Sequence, residues 1–97
     1  SVVIKSFRDK ATAAIFAGVL PKGVPADVAK RARAKLLMID VARDLNDLRV
    51  PPANHLERLK DDRAGQHSIR VSGKWRLCFI WKDGEAENVE FCDYHKG

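Results

Sequence analysis

Eight side chains in the second half of the chain have the types to do chemistry together: Lys60, Arg63, Arg70, Lys74, Arg76, Asp93, Tyr94 and His95. They are cations and proton carriers with one phenol, and metal-free cleavage of RNA needs such a set. In that reaction the 2′-hydroxyl loses a proton, the scissile phosphate gains charge, and the departing 5′-oxygen receives a proton. Lys and Arg stabilise the developing charge, Asp or His exchanges protons, and Tyr stacks on an unpaired base. Each residue also has a plainer account, with Asp93-Tyr94-His95 as a tail and Tyr94 as a seal at the edge of the core. Walker loops, GxGxxG, HExxH and GxSxG are all missing, so nucleotide cofactors, zinc hydrolysis and serine-hydrolase chemistry have no support. Neither a cofactor nor a metal is expected. Cys78 and Cys92 lack companions at zinc-like spacing and read as small buried apolar residues, with a cross-strand disulfide as the alternative.

The elements that must hold these groups lie mostly between Gly65 and His95. Three runs of period-two alternation, broken at Ser72-Gly73 and Asp83-Gly84, predict half-buried strands. Trp75, Leu77, Phe79 and Trp81 point one way; Lys74, Arg76, Cys78 and Ile80 point the other. Facing Val71 to Trp75, Ile69 to Leu77 and His67 to Phe79 requires a three-residue connection, Ser72-Gly73-Lys74. That register sets Arg70 opposite Arg76. Like charges facing each other across a strand pair are unfavourable, so the pair marks either an anion site or two solvated arginines splayed apart.

The next connection has two solutions. Asp83-Gly84 is a strong two-residue turn signal, and it would pair Phe91 with Arg76 and Asp93 with Lys74, on the cationic face. A three-residue connection instead faces Val89 to Phe79 and Phe91 to Leu77, which suits the core and turns Asp93 and His95 away. A bulge or bend near Cys92 would reconcile the two.

Upstream, Val2 to Lys5 predicts an edge strand, and Ser6 an N-cap for a helix from Phe7 to Ala17 that stops at Gly18. Ala11, Ala14 and Ile15 would form its apolar stripe. After a turn-rich connector from Val19 to Pro25, a second helix is expected from Ala26 to Ala42. Val28, Ala32, Leu36 and Ile39 keep helical spacing, with Ala29 and Leu37 widening the face. Asp27 in its first turn and Arg43 near its end suit the helix dipole. Lys30, Arg31, Arg33 and Lys35 read as a solvated basic surface. The segment from Asp44 to Asn54 loses helical periodicity, and Pro51-Pro52 predicts extended backbone. A short strand within His55 to Leu59 and a charged turn from Lys60 to Arg63 complete the order β-α-α-β-β-β-β. The fold class is α+β: two helices on one face of a small, largely antiparallel sheet, the other face left available. His67 reads as a packed core histidine, and His55 is undecided.

Ninety-seven residues predict one domain, residues 1–97, with an ordinary apolar fraction of 45%. Eighteen Lys+Arg against 13 Asp+Glu give a net charge of +5, which favours polyanionic partners. No apolar run reaches the length of roughly 18–20 residues that spans a bilayer, and the N-terminus lacks a secretory h-region, so a cytoplasmic protein without a membrane partner is expected.

The run LRVPPANHLERLKDDRAGQHSIRVSGKWRLCFIW, with the opening IKSF and the ending DYH, resembles HigB toxins of the RelE/ParE superfamily of toxin–antitoxin modules. The resemblance spans Ile4 to His95. It implies a RelE-like fold and ribosome-dependent, metal-independent cleavage of messenger RNA, with the 70S ribosome and mRNA as partners. It also implies a HigA-like helix-turn-helix antitoxin, through which alone operator DNA would be met. Lys60, Arg76, Asp93, Tyr94 and His95 correspond to the family's active-site positions, and Arg63, Arg70 and Lys74 would bind RNA backbone. Arg76 and Lys60 would hold the phosphate, Asp93 and His95 move protons, and Tyr94 orient the nucleotide. Glu57 stands where some relatives carry a histidine, with His55 two residues earlier. ParE-like members share the fold but inhibit DNA gyrase without cutting RNA, which is the alternative function.

Overall fold

The alternating runs form an antiparallel meander, and the computed structural model describes it within residues 3–93. Val2, Tyr94 and His95 therefore lie outside the described residues. The strands are β1 (Glu57–Arg58), β2 (Gln66–Ser72), β3 (Trp75–Lys82) and β4 (Glu85–Asp93), hydrogen-bonded in the order β1-β2-β3-β4. Helices α1 (Lys10–Phe16) and α2 (Ala26–Val41) cover one face. Their buried residues, Ile15, Ala32, Leu36 and Ile39, join Ile69, Val71, Leu77, Phe79 and Val89 in one core.

The expected N-terminal strand is reduced to two isolated parallel bridges, Ile4 to Ala86 and Phe7 to Val89, beside β4. Asp40 of α2 fastens this segment, its carboxylate accepting from the backbone N–H groups of Val3 and Ile4 at 3.1 and 3.0 Å. Ser6 does not cap α1. Its hydroxyl accepts from the Asn88 N–H instead, and Asp9 caps the helix, accepting from the Thr12 N–H at 2.8 Å and the Thr12 hydroxyl at 2.7 Å. The helix accordingly begins three residues late. Its buried face is Thr12 and Ile15, with Ala11 exposed, because the Thr12 hydroxyl also accepts from the Phe91 N–H of β4. Gly18, at φ +89°, ends the helix region in the left-handed conformation expected of it.

In α2 the periodic set Val28, Ala32, Leu36 and Ile39 is buried, whereas Leu37 is 40% exposed and widens nothing. Arg43 falls beyond the C-cap Ala42, so it is not in the last turn. The segment after it is more regular than expected. Leu45–Arg49 and Pro52–Asn54 are 3-10 turns, the first closed by a capping box between Asp44 and Asp47. Val50 and Pro51 between them are extended, across a cis peptide bond.

Asn54, fully buried, locks this segment to α2. Its amide donates to the carbonyls of Leu48 and Val50 at 3.1 and 3.3 Å, while its side-chain oxygen accepts from the Lys35 ammonium. Truncation leaves a buried carbonyl and an ammonium short of partners. Asn54→Ala is expected to cost about 2–3 kcal/mol, read as a lower urea midpoint with unchanged slope; an unchanged midpoint would contradict the role given to Asn54.

The β2–β3 hairpin keeps most of the expected pairs, the β3–β4 hairpin takes the core-matching one of its two solutions, and each contains a bulge. Between β2 and β3 the pairs His67–Phe79, Ile69–Leu77 and Arg70–Arg76 are those expected. Ser72, however, faces Trp75, and Val71 is the extra residue, so the connection is the two-residue Gly73-Lys74. Between β3 and β4 the Asp83-Gly84 turn is tight, pairing Lys82 with Glu85, yet Leu77 still faces Phe91. Asn88 and Val89 together stand opposite Phe79, and Asn88 takes φ +51°. The bulge lies at Asn88, not near Cys92.

Candidate active site

The strand face turned away from the helices carries two rows of side chains set by register. One row runs Glu57, Ser68, Cys78, Glu90 and the next runs Arg70, Arg76, Cys92. Arg76 is central. Its side chain is 19% exposed, and its guanidinium lies 3.6 Å from the Glu57 carboxylate across the sheet. Glu57 itself is exposed, at the edge of the sheet, whereas the Arg76 Nη1 that meets it is buried.

The other expected residues fall in different settings. Lys60, exposed and extended, follows β1 and opens the 3-10 turn Asp61–Arg63. Arg63 is half-buried and braced, donating to Gln66 at 3.0 Å and Glu90 at 3.2 Å. It therefore fastens the 61–63 turn to β4. Burial opposes the charge of Arg63, while the hydrogen bond to Glu90 holds it, leaving the guanidinium more firmly protonated than usual. Arg70 is exposed and also lines an open cleft of about 400 Å³ with Arg31, Lys35, Met38, Ala53 and Gly73. In that cleft burial, reinforced by the charge of Arg31, lowers the Lys35 ammonium below its ordinary value.

Asp93 ends β4 opposite Trp75, on the alternation of the helix side, and is exposed. Lys74 reaches it at 3.2 Å and also lies 5.3 Å from the Trp75 ring centroid. Trp75 stacks on Phe91 at 4.9 Å, so the strand end beside Asp93 is stiffened by two parallel rings. The register brings Asp93 and Arg76 to the same end of the β3–β4 ladder but on opposite alternations. Tyr94 and His95 are outside the described residues. His55 is exposed at φ +48° and caps the second 3-10 turn.

Sequence reading missed the pairing of Glu57 with Arg76, and the two strand partners that build this row, Ser68 and Glu90. A signal existed for Glu57, a lone acidic residue in a strand edge otherwise basic, but not for its partner.

His67 packs against Phe79, ring centroids 6.2 Å apart, but is half-buried rather than sealed in the core. Burial, with the Arg58 charge adding, holds its value below the ordinary 6.5. A base with a depressed folded value takes up its proton more readily in the unfolded chain. The stability it contributes is full above 6.5 and falls as the pH drops from there toward the folded value. In His67→Gln that acid-side loss should vanish; urea midpoints taken between about pH 8 and 5 test it, and an identical slope in both proteins would rule it out.

The model of the HigB-like toxin family, described as RelE-like toxin of type II toxin-antitoxin system HigB, matches residues 5–95. Endoribonuclease HigB of Proteus vulgaris is 36% identical over 93 residues, covering 96% of this chain and 100% of that protein. Toxin HigB-1 of Vibrio cholerae serotype O1 is 40% identical over 73 residues, 75% of this chain and 76% of that protein.

Proposed function

Because the chain belongs to the HigB family of RelE-like toxins of type II toxin–antitoxin systems, we propose that it cuts messenger RNA on the translating ribosome. The reaction is metal-independent. The 2′-hydroxyl attacks the adjacent phosphorus, the bond to the 5′-oxygen breaks, and the ends are a 2′,3′-cyclic phosphate and a 5′-hydroxyl. The observation that carries this reading is the Arg76 guanidinium on the helix-free face, 3.6 Å from a carboxylate. A relative matching nearly the whole chain is named an endoribonuclease, which favours this reading over gyrase inhibition.

In this reading a phosphate takes the place of Glu57 at the Arg76 guanidinium, where a planar fork suits its oxygens. Glu57, released, accepts the 2′-hydroxyl proton. Lys60 adds positive charge from the sheet edge, and Arg70 and Lys74 contact backbone. Arg63 acts mainly as a brace. Asp93 and His95 move protons and Tyr94 orients the nucleotide, as the family resemblance implies. The ribosome aligns the RNA and so supplies much of the orientation that a sparse acid–base set lacks. A type II toxin has an antitoxin partner; here we take it to be a HigA-like helix-turn-helix protein, with the toxin acting in the cytoplasm.

Glu57→Gln keeps the side chain's shape and removes its basicity, so cleavage on programmed ribosomes should fall by about a hundredfold. Unchanged single-turnover rates would take the base role away from Glu57. The function as a whole is tested by brief induction followed by mapping of transcript 5′ ends. Cuts in phase with the reading frame are expected; intact messages with blocked DNA supercoiling would move the chain to the gyrase-inhibitor class.

A further inference from the structure

Cys78 and Cys92 stand diagonally across the β3–β4 ladder, Cys78 opposite Glu90 and Cys92 opposite Arg76, with their sulfurs 3.3 Å apart. Both are free thiols. Cys78 is fully buried and Cys92 half-buried, so one side of the pair is open to small solutes. Structural cysteines are usually inert among apolar neighbours, whereas reactive ones sit in electropositive, partly exposed surroundings. This pair has the second kind of setting: the charges of Arg63 and Arg76 act on Cys78, and the Glu90 carboxylate opposes them.

We propose that Cys78 and Cys92 are a reversible oxidation site, a dithiol that hydroperoxides convert to a disulfide and that thereby turns down the neighbouring cleavage site. The chemistry closes without any further reactant. One thiolate sulfur attacks the terminal peroxide oxygen, the O–O bond breaks, and an alcohol or water leaves with a proton, giving a sulfenic acid. The second sulfur attacks the sulfenic sulfur, the S–S bond forms, and hydroxide leaves as water with that thiol's proton. Two electrons pass from the thiols to the peroxide. Within the pair, Cys92 is the sulfur that a hydroperoxide reaches, and the buried Cys78 lies within reach to resolve the sulfenic acid.

The bond requires the sulfurs to close by roughly 1.3 Å. That movement is drawn from a place that matters. Cys92 pairs with Arg76 and directly precedes Asp93, so the strand end carrying Asp93 shifts against the guanidinium. A displacement of about an ångström at a catalytic constellation costs up to about a hundredfold in rate. This consequence for activity rests on the proposed nuclease function; the bond itself does not.

Purified full-length protein treated with hydrogen peroxide, then catalase, then a maleimide, provides the test. Both thiols should become protected from alkylation, the intact mass should fall by two hydrogens, and dithiothreitol should reverse both changes. Cleavage on programmed ribosomes should drop at least about tenfold and return on reduction. Cys92→Ala and Cys78→Ala should form no bridge and lose the reversible drop. Two thiols still alkylated after peroxide, or a mass gain of oxygen with no loss of hydrogens, would overturn the site. A bridge that forms with cleavage unchanged would overturn its effect on activity. A protein that never cuts RNA but still forms the bridge would retire the nuclease reading while leaving the oxidation site in place. Should neither variant fold, the wild-type mass and alkylation results decide alone.

Discussion

Arg76→Ala is expected to abolish growth arrest and to slow single-turnover cleavage on programmed ribosomes by about a hundred- to a thousandfold, the size of effect seen when one pre-organised donor to developing charge is removed. The guanidinium is rooted in the centre of the sheet on β3, flanked by β2 and β4, and its Nη1 is buried beside the Glu57 carboxylate. It is therefore held before RNA arrives, and its contribution to the transition state costs little reorganisation. Ribosome binding should weaken far less than the rate falls, because backbone contacts spread over Lys60, Arg70 and Lys74. Arg76→Lys should recover only part of the loss, since a point charge cannot bridge two phosphate oxygens as a planar fork does. Wild-type rates in Arg76→Ala would remove this residue from the reaction.

The second large effect is on stability. Phe79 is fully buried at the middle of β3, edge-on to Trp81 at 6.5 Å and close to His67, and it faces the two-residue bulge of β4. Phe79→Ala is expected to cost about 3–5 kcal/mol through lost burial and the cavity left behind. For a domain whose total stability is roughly 5–15 kcal/mol, that is a large share. Phe79→Leu should cost less, roughly 1.5 kcal/mol or under, because most of the volume is restored. Urea unfolding monitored by tryptophan fluorescence measures both. Equal midpoints for wild type and Phe79→Ala would mean that the site collapses without a cavity and that the core is not built around this ring.

The sheet was legible because alternation and the Asp83-Gly84 turn are local signals, and matching apolar sets offered the core pairing of β3 with β4 as one of two solutions. The bulge that reconciles the tight turn with that pairing was not. It depends on Asn88, whose N–H finds its partner in Ser6, 82 positions away in the chain. The same contact explains the misplaced cap. Ser6 looks like an N-cap by type, yet its hydroxyl is taken up by β4, leaving Asp9 to start the helix. Thr12 was invisible as a core residue because a hydroxyl breaks the apolar pattern; its burial makes sense only once Phe91 offers an N–H to it.

The candidate site was legible to a similar extent. Arg70 facing Arg76 follows from strand register alone. That Arg76 would meet Glu57 depends on β1, a two-residue strand whose alternation is too short to read, and that Arg63 would be a brace depends on Glu90 two strands away. The nearness of Cys78 and Cys92 likewise comes from the bulged register, which sets them on a diagonal that no spacing rule marks.

The location of the scissile phosphate can be read directly. A message bearing a 2′-deoxynucleotide at the attacking position keeps its place on the ribosome but lacks the nucleophile, and a 4-thiouridine beside it forms a crosslink on irradiation. The crosslinked peptide should come from β3 or β4, residues 75–82 or 85–93. A crosslink confined to α1 or α2, on the covered side of the sheet, would contradict the assignment of RNA cleavage to the face that holds Arg76.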